Sequence, residues 1–201
     1  MPQIPAPAYV LIHGGGTTGG FWDRLLPLLS LRALAVDLPG RGGRPFDPMT
    51  FTVAEGVAAI LDDVDAAAST MWRTRVPSAA ATPGTNSPPE DPESARASYG
   101  GDPLDDDALA FMLDPARCIR DSMNLYFQPV SWASVATVPV TYVKGRRDRP
   151  VSPDLQDEML GRLPNPVEVV ELDTGHIPAV THPEQFAAIL ERIAAKEAAP
   201  R

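Results

Sequence analysis

Hydrophobic positions along the chain repeat with two different periods. AYVLIH at 8–13 and RALAVDL at 32–38 are unbroken apolar runs, which predict strands buried on both faces. Between them FWDRLLPLLS, at 21–30, predicts a helix. Strand, helix, strand at this spacing is a βαβ unit with parallel strands and a right-handed crossover. From Thr52 the period lengthens: Val53, Val57, Ile60, Leu61 and Val64 share one helical face, and Thr52 with Glu55 forms a capping box at its start. The pattern returns after a long gap. VPVTYVKG (138–145) and VEVVELD (167–173) predict two more strands, PDLQDEMLGRL a helix between them, and PEQFAAILERIAAK a closing helix with Pro183 in its first turn. Strands alternating with helices give an α/β class with a mostly parallel sheet.

After Ala68 the periodicity dissolves. Six of the chain's 23 prolines lie between Pro77 and Pro103, and that stretch predicts a loop. LDDDALAFML (104–113) and PARCIRDSMNLYF (115–127) predict two short helices. At 104–136 Met112, Met123, Tyr126, Phe127 and Trp132 offer an apolar pocket lining or ordinary packing. The 201 residues suit one domain with one core.

Composition narrows the partners. A net charge of −9 disfavours nucleic acid and anionic membrane, since both select basic patches. The single Cys118 excludes an internal disulfide. The first residues show no basic leader and no apolar run long enough for a signal or a span, so the expected location is cytoplasmic. No metal or organic cofactor is expected, and the expected partner is a small-molecule substrate or ligand.

Four stretches carry candidate chemistry. HGGGTTGG (13–20) follows a strand, where glycines let backbone N–H groups turn toward a ligand or an oxyanion. It satisfies G-x-G-x-x-G, with Asp37 at the end of the next strand where a ribose-binding acid would sit, so a dinucleotide-binding module stays open. It also reads as an esterase-type oxyanion loop, or simply as a tight turn. DLPGRGGR (37–44) is a glycine loop. In KGRRDRPVSP (144–153), Asp148 stands at a strand's C-terminal end, as a functional acid or as a solvated partner of Arg146, Arg147 or Arg149. Gly175-His176 places an imidazole after the last strand, as a base or as a turn cap.

Taken together and in this order, the four resemble the α/β-hydrolase superfamily. HGGG at 13–16 is similar to its oxyanion loop, and Asp37 through Gly42 to its D-x-P-G-x-G loop. Residues 145–153 resemble its acid-bearing turn, G-x-x-D followed by a proline-ended loop, residues 175–178 its G-H-x-P base turn, and THPEQFAAIL its last helix. The likeness covers about three-fifths of the chain, 8–68 and 138–196. It implies an α/β-hydrolase-like sheet with flanking helices and a short helical cap at about 104–136. It also implies hydrolysis of a small carboxylic ester, thioester or amide, with Asp148 as acid, His176 as base and the Gly15 N–H as an oxyanion donor.

The family's nucleophile elbow, G-x-S-x-G on a strand-to-helix turn, is missing from the sequence. Ser69 directly follows a helix, Ser78 follows Pro77, Ser98 lies in an acidic, proline-rich loop, and Cys118 falls inside a predicted helix. RVPSAAATP (75–83) resembles the tail of the strand after the elbow helix, which points to loss of the elbow strand, its helix and most of the next strand. The nucleophile is therefore unassigned. A non-catalytic relative, acting as a binding or scaffold protein, is the alternative expectation. The strands at 8–13 and 138–145 must then pair directly or present apolar edges, which would favour a homo-oligomer.

Overall fold

A computed structural model describes residues 9–41, 44–68, 85–86, 88–131, 136–164 and 167–198. The described strands pair in twos. β1 (Tyr9–Leu11) lies parallel to β2 (Ala33–Ala35), and β5 (Thr141–Gly145) parallel to β6 (Glu168–Leu172). Two short strands, β3 (Thr85–Asn86) and β4 (Asp121–Ser122), pair antiparallel. Among the described residues β1 and β5 share no ladder, so the direct pairing of the two is not formed there. The α/β class and its parallel pairs match the sequence pattern.

The strongest local signals fold as expected. α1 (Val53–Ala68) opens with the Thr52/Glu55 box: Thr52 N–H donates to Glu55 Oε2 at 2.7 Å, and Glu55 N–H to Thr52 Oγ1 at 3.2 Å. α4 (Pro153–Leu160) is capped by Ser152, and α6 (Pro183–Ala198) begins at its proline.

Three expectations are corrected. Residues 21–30 form no α-helix but two 3-10 turns, Gly19–Trp22 and Leu26–Leu28. Pro27 sits in the middle of this ten-residue stretch and removes a donor from any i→i−4 ladder. Within the expected loop at 77–103, α2 (Pro92–Ser98) forms. Its start is a reciprocal box between Asp91 and Ser94 with Pro92 in the first turn. The expected helix at 115–127 is also absent. α3 (Asp106–Met112) ends before it, Cys118 bridges to Thr17, and a 3-10 turn spans Met123–Phe127. Tertiary pairing overrides helix propensity here: Thr18 N–H donates to Arg117 O at 2.8 Å, and Ile119 N–H to Gly16 O at 2.9 Å.

Two apolar clusters hold these pieces. Leu11, Leu25 and Ala187 join β1 to α6, with Trp22 stacked on Phe186 at 6.5 Å; complete burial of Leu25 contributes roughly 1.5–3 kcal/mol. Ala95, Leu104, Leu109, Met112, Ile177 and Val180 join α2 and α3 to α5 (Pro178–Thr181). Met112 is thus a core residue, whereas Tyr126 and Phe127 are exposed. Trp132 lies outside the described residues.

Beneath the glycine loop is a buried ion pair. Arg41 Nη2 lies 2.8 Å from Asp121 Oδ2, both side chains almost fully enclosed. Arg41 Nε also donates to Thr17 O at 2.7 Å, and Asp121 Oδ2 accepts from Gly16 N–H at 3.0 Å. Removing one partner strands the other charge away from water. Asp121→Ala is therefore expected to lower unfolding free energy by about 3–5 kcal/mol, read as a lower urea midpoint. A loss below about 1 kcal/mol, the surface ion-pair range, would show that the pair is not carrying the loop.

Candidate active site

β5 and β6 run parallel in the register Thr141↔Glu168 through Gly145↔Leu172, so their C-terminal ends emerge side by side. The pairing continues past the strands, with Arg146 N–H donating to Leu172 O at 2.9 Å and Arg147 N–H to Thr174 O at 3.0 Å. Two turns leave from adjacent points, one carrying Asp148 and the other His176. His176 Nδ1 stands 2.9 Å from Asp148 Oδ2, a distance suited to a charge-assisted N–H···O bond. This geometry puts the proton on Nδ1 and leaves Nε2 as the basic nitrogen. Asp148 does not pair with the neighbouring arginines. Its Oδ1 accepts from Val151 N–H at 2.9 Å, and Gln156, almost fully buried, ties Gly145 O and Val151 O at 3.1 and 2.7 Å.

A cavity of about 410 Å³ opens beside the pair, walled by Phe21, Trp22, Val143, Val151, Pro178 and Phe186 among others. Its described wall carries the hydroxyls of Thr141 and Tyr142 and no serine or cysteine. Nor does it include Met112, Met123, Tyr126 or Phe127.

The remaining candidates are distributed elsewhere. Gly15 lies in the loop after β1, where a Cβ would stand 2.4 Å from Tyr126 Oη, so only glycine fits without displacing that ring. Ser98 ends α2. Cys118 is buried, and burial pushes its thiol up to about 11, the opposite of an activated thiolate. Ser69 and Ser78 lie outside the described residues. Among the described residues, no three His, Cys, Asp or Glu side chains gather as a metal centre would need, and no helix is long and apolar enough to cross a membrane.

Four backbone N–H groups of the glycine string are committed to internal partners. Gly16 N–H goes to Asp121, Thr18 N–H to Arg117 O, Gly19 N–H to Asp37 Oδ1 at 2.7 Å, and Gly20 N–H to Thr18 Oγ1 at 3.1 Å. Asp37 therefore closes the loop on itself, and a 3-10 turn follows where a dinucleotide fold needs a helix N-terminus. Neither NAD nor FAD is expected to bind; micromolar affinity for either by calorimetry would reverse this.

His13, at the same loop, is a latch. Its Nδ1 donates to Gly14 O at 2.9 Å and its Nε2 accepts from Leu38 N–H at 3.4 Å. Burial, helped by the Arg41 charge, lowers its pKa to about 4. The unfolded chain binds this proton near pH 6.5, so the unfolded state gains protons that the fold refuses between about 6.5 and 4. The stability attached to His13 is present above pH 6.5 and falls as the pH drops through that window. Urea titrations at pH 7 and pH 5 should show His13→Gln losing about 2 kcal/mol less over this step than the parent; equal losses would mean His13 titrates normally in the fold.

Sequence reasoning missed Asp102, Asp121 and Gln156, the three buried polar residues that hold these turns. The local hints are the two glycines before Asp102 and nothing distinctive at the others.

Comparison with known proteins agrees with this architecture. The model of the "Alpha/beta hydrolase family" matches residues 9–71 and 64–189. A pyrethroid hydrolase from Sphingobium faniae JZ-2 superposes with a TM-score of 0.67 at 19% identity, covering 93% of this chain and 96% of its own. A methylesterase from Arabidopsis gives 0.66 at 19%, covering 94% and 98%. Tomato methylketone synthase I, complexed with 2-tridecanone, gives 0.60 at 14%, covering 96% and 99%. No curated protein matches the chain in sequence. With most of its length matched by the family model and its parallel strands and flanking helices arranged as described, the chain belongs to the α/β-hydrolase family.

Proposed function

We propose that this chain binds a small carboxylic ester, thioester or amide in the cavity beside Asp148 and His176, and that it descends from enzymes hydrolysing such compounds but has lost their nucleophile. The observation that carries the reading is the 2.9 Å contact of His176 Nδ1 with Asp148 Oδ2 at the cavity wall. In a hydrolase this arrangement makes Nε2 a general base: it takes a proton from the attacking hydroxyl, while the carboxylate stabilises the imidazolium that forms. An oxyanion donor from the Gly15 N–H would complete the ancestral set.

Two observations support loss of the nucleophile. The described cavity wall offers no serine or cysteine to Nε2, and the family match falls into two stretches that meet at 64–71, where the sequence lacks an elbow. On this reading the present chain is a binding protein that keeps the pocket without turnover. A general base can still activate water directly. An unpositioned water, however, forgoes the orientation advantage of a fixed nucleophile, worth up to about 7–11 kcal/mol in well-aligned reactions.

With p-nitrophenyl acetate the protein should give only trace hydrolysis and no burst of acyl-enzyme, and His176→Ala should lower the trace little. A burst stoichiometric with protein and abolished by Ser69→Ala, Ser78→Ala, Ser98→Ala or Cys118→Ala would identify a relocated nucleophile and overturn the reading.

A further inference from the structure

Asp102 lies far in sequence from both strand exits, yet its carboxylate sits between them with a side chain 1% exposed. One oxygen, Oδ2, accepts from Gly175 N–H at 2.7 Å, the residue just before the histidine, and from Thr181 Oγ1 at 2.9 Å in α5. The other, Oδ1, accepts from Arg147 Nη2 at 2.8 Å, the residue just before the acid. His182 Nδ1 stands 3.4 Å from the same carboxylate. Arg147 in turn reaches Asp173, its Nε 3.6 Å from Oδ1. The backbones themselves are stacked. Gly101 adopts φ +117°, and a Cβ there would lie 1.9 Å from Arg147 O and 2.8 Å from Gly175 Cα. No other residue type permits this approach.

We propose that Asp102 is a positioning residue for the Asp148–His176 pair, a single buried carboxylate that ties the base turn, α5 and the acid turn into one unit. The two strands set where the turns begin, but the 2.9 Å contact between their side chains depends on the relative placement of two short loops. A buried anion accepting from a backbone N–H, a hydroxyl and a guanidinium holds all three at once: the buried Gly175 N–H would be stranded away from water without it, and the Arg147 guanidinium adds a charge-assisted bond. The proposal rests on the reading of Asp148 and His176 as a functional pair, and it assigns to the pair a support outside the turns that bear it.

The test reads proton exchange of imidazole Nδ1–H signals by NMR on the full chain, with no need for turnover. His176 Nδ1–H, shielded by Asp148, and His13 Nδ1–H, bonded to Gly14 O, serve as probe and internal reference, each assigned by its loss in His176→Ala or His13→Gln. In Asp102→Ala the His176 signal should vanish into solvent exchange while the His13 signal persists. Should that variant not fold, Thr181→Val, which removes one donor with little change of shape, should speed His176 exchange on the order of tenfold or more and leave His13 unchanged, as expected for local opening after loss of a charge-assisted bond. Exchange at His176 equal to the parent's, or acceleration at both histidines together, would overturn the proposal, the second by showing a general structural role. A parent spectrum without a protected His176 signal would overturn the pair and the clamp together. An acyl-enzyme burst would overturn only the loss of the nucleophile.

Discussion

Glycine turns at the ends of parallel strands expose backbone N–H groups that the ladder no longer satisfies, and every such group buried away from water needs an acceptor. This chain meets the requirement with carboxylates. Asp121 takes Gly16 N–H, Asp37 takes Gly19 N–H, and Asp102 takes Gly175 N–H. Two of these acids come from residues 88–131, outside the βαβ units. The loops at the chemically interesting end are therefore held by the intervening segment as much as by the strands they leave. That matters in a molecule whose described strands pair only in twos, since there is less ladder to fix where a turn begins.

The same constraint accounts for His13. An imidazole enclosed beside Arg41 is neutral, and as a neutral ring it can donate from one nitrogen and accept from the other. It uses both to staple the start of the glycine loop to the backbone after β2. The residue that opens HGGG is thus occupied in shaping the loop. Arg41 and Asp121 lie just below it, so the loop stands on a neutral latch and an ion pair.

Local patterns were legible in proportion to how local their causes are. α1 needs only its apolar face and the Thr52/Glu55 box, both contiguous in sequence, and it forms as expected. The Asp148 and His176 turns were readable because each follows an apolar run directly, and parallel pairing of the two runs brings the turns together. The stretch 21–30 misled because its apolar spacing suits a helix while Pro27 breaks the ladder. Residues 115–127 misled because the glycine loop captures their backbone from about a hundred positions away. Asp102 and Asp121 were scarcely legible: apart from the two glycines before Asp102, nothing near them in sequence separates them from Asp105, Asp106 or Asp107, which cap or solvate α3. The N-terminal signal of α2, Asp91-Pro92 followed by Ser94, was present and was outweighed by the surrounding prolines.

A His–Asp contact therefore has two independent reasons to exist in this fold. Asp148 shapes its own turn through Val151 N–H, and that turn is strapped by Gln156 and clamped from outside by Asp102. None of those contacts requires a nucleophile. If the elbow is lost, the acid and base remain in register because the contacts holding them are structural. The His176–Asp148 contact keeps its geometry whatever stands before Nε2, and the cavity takes its apolar walls from β5, α6 and the 3-10 turn. Persistence of the pair is thus a statement about how the turns are anchored. Turnover depends on what stands before Nε2.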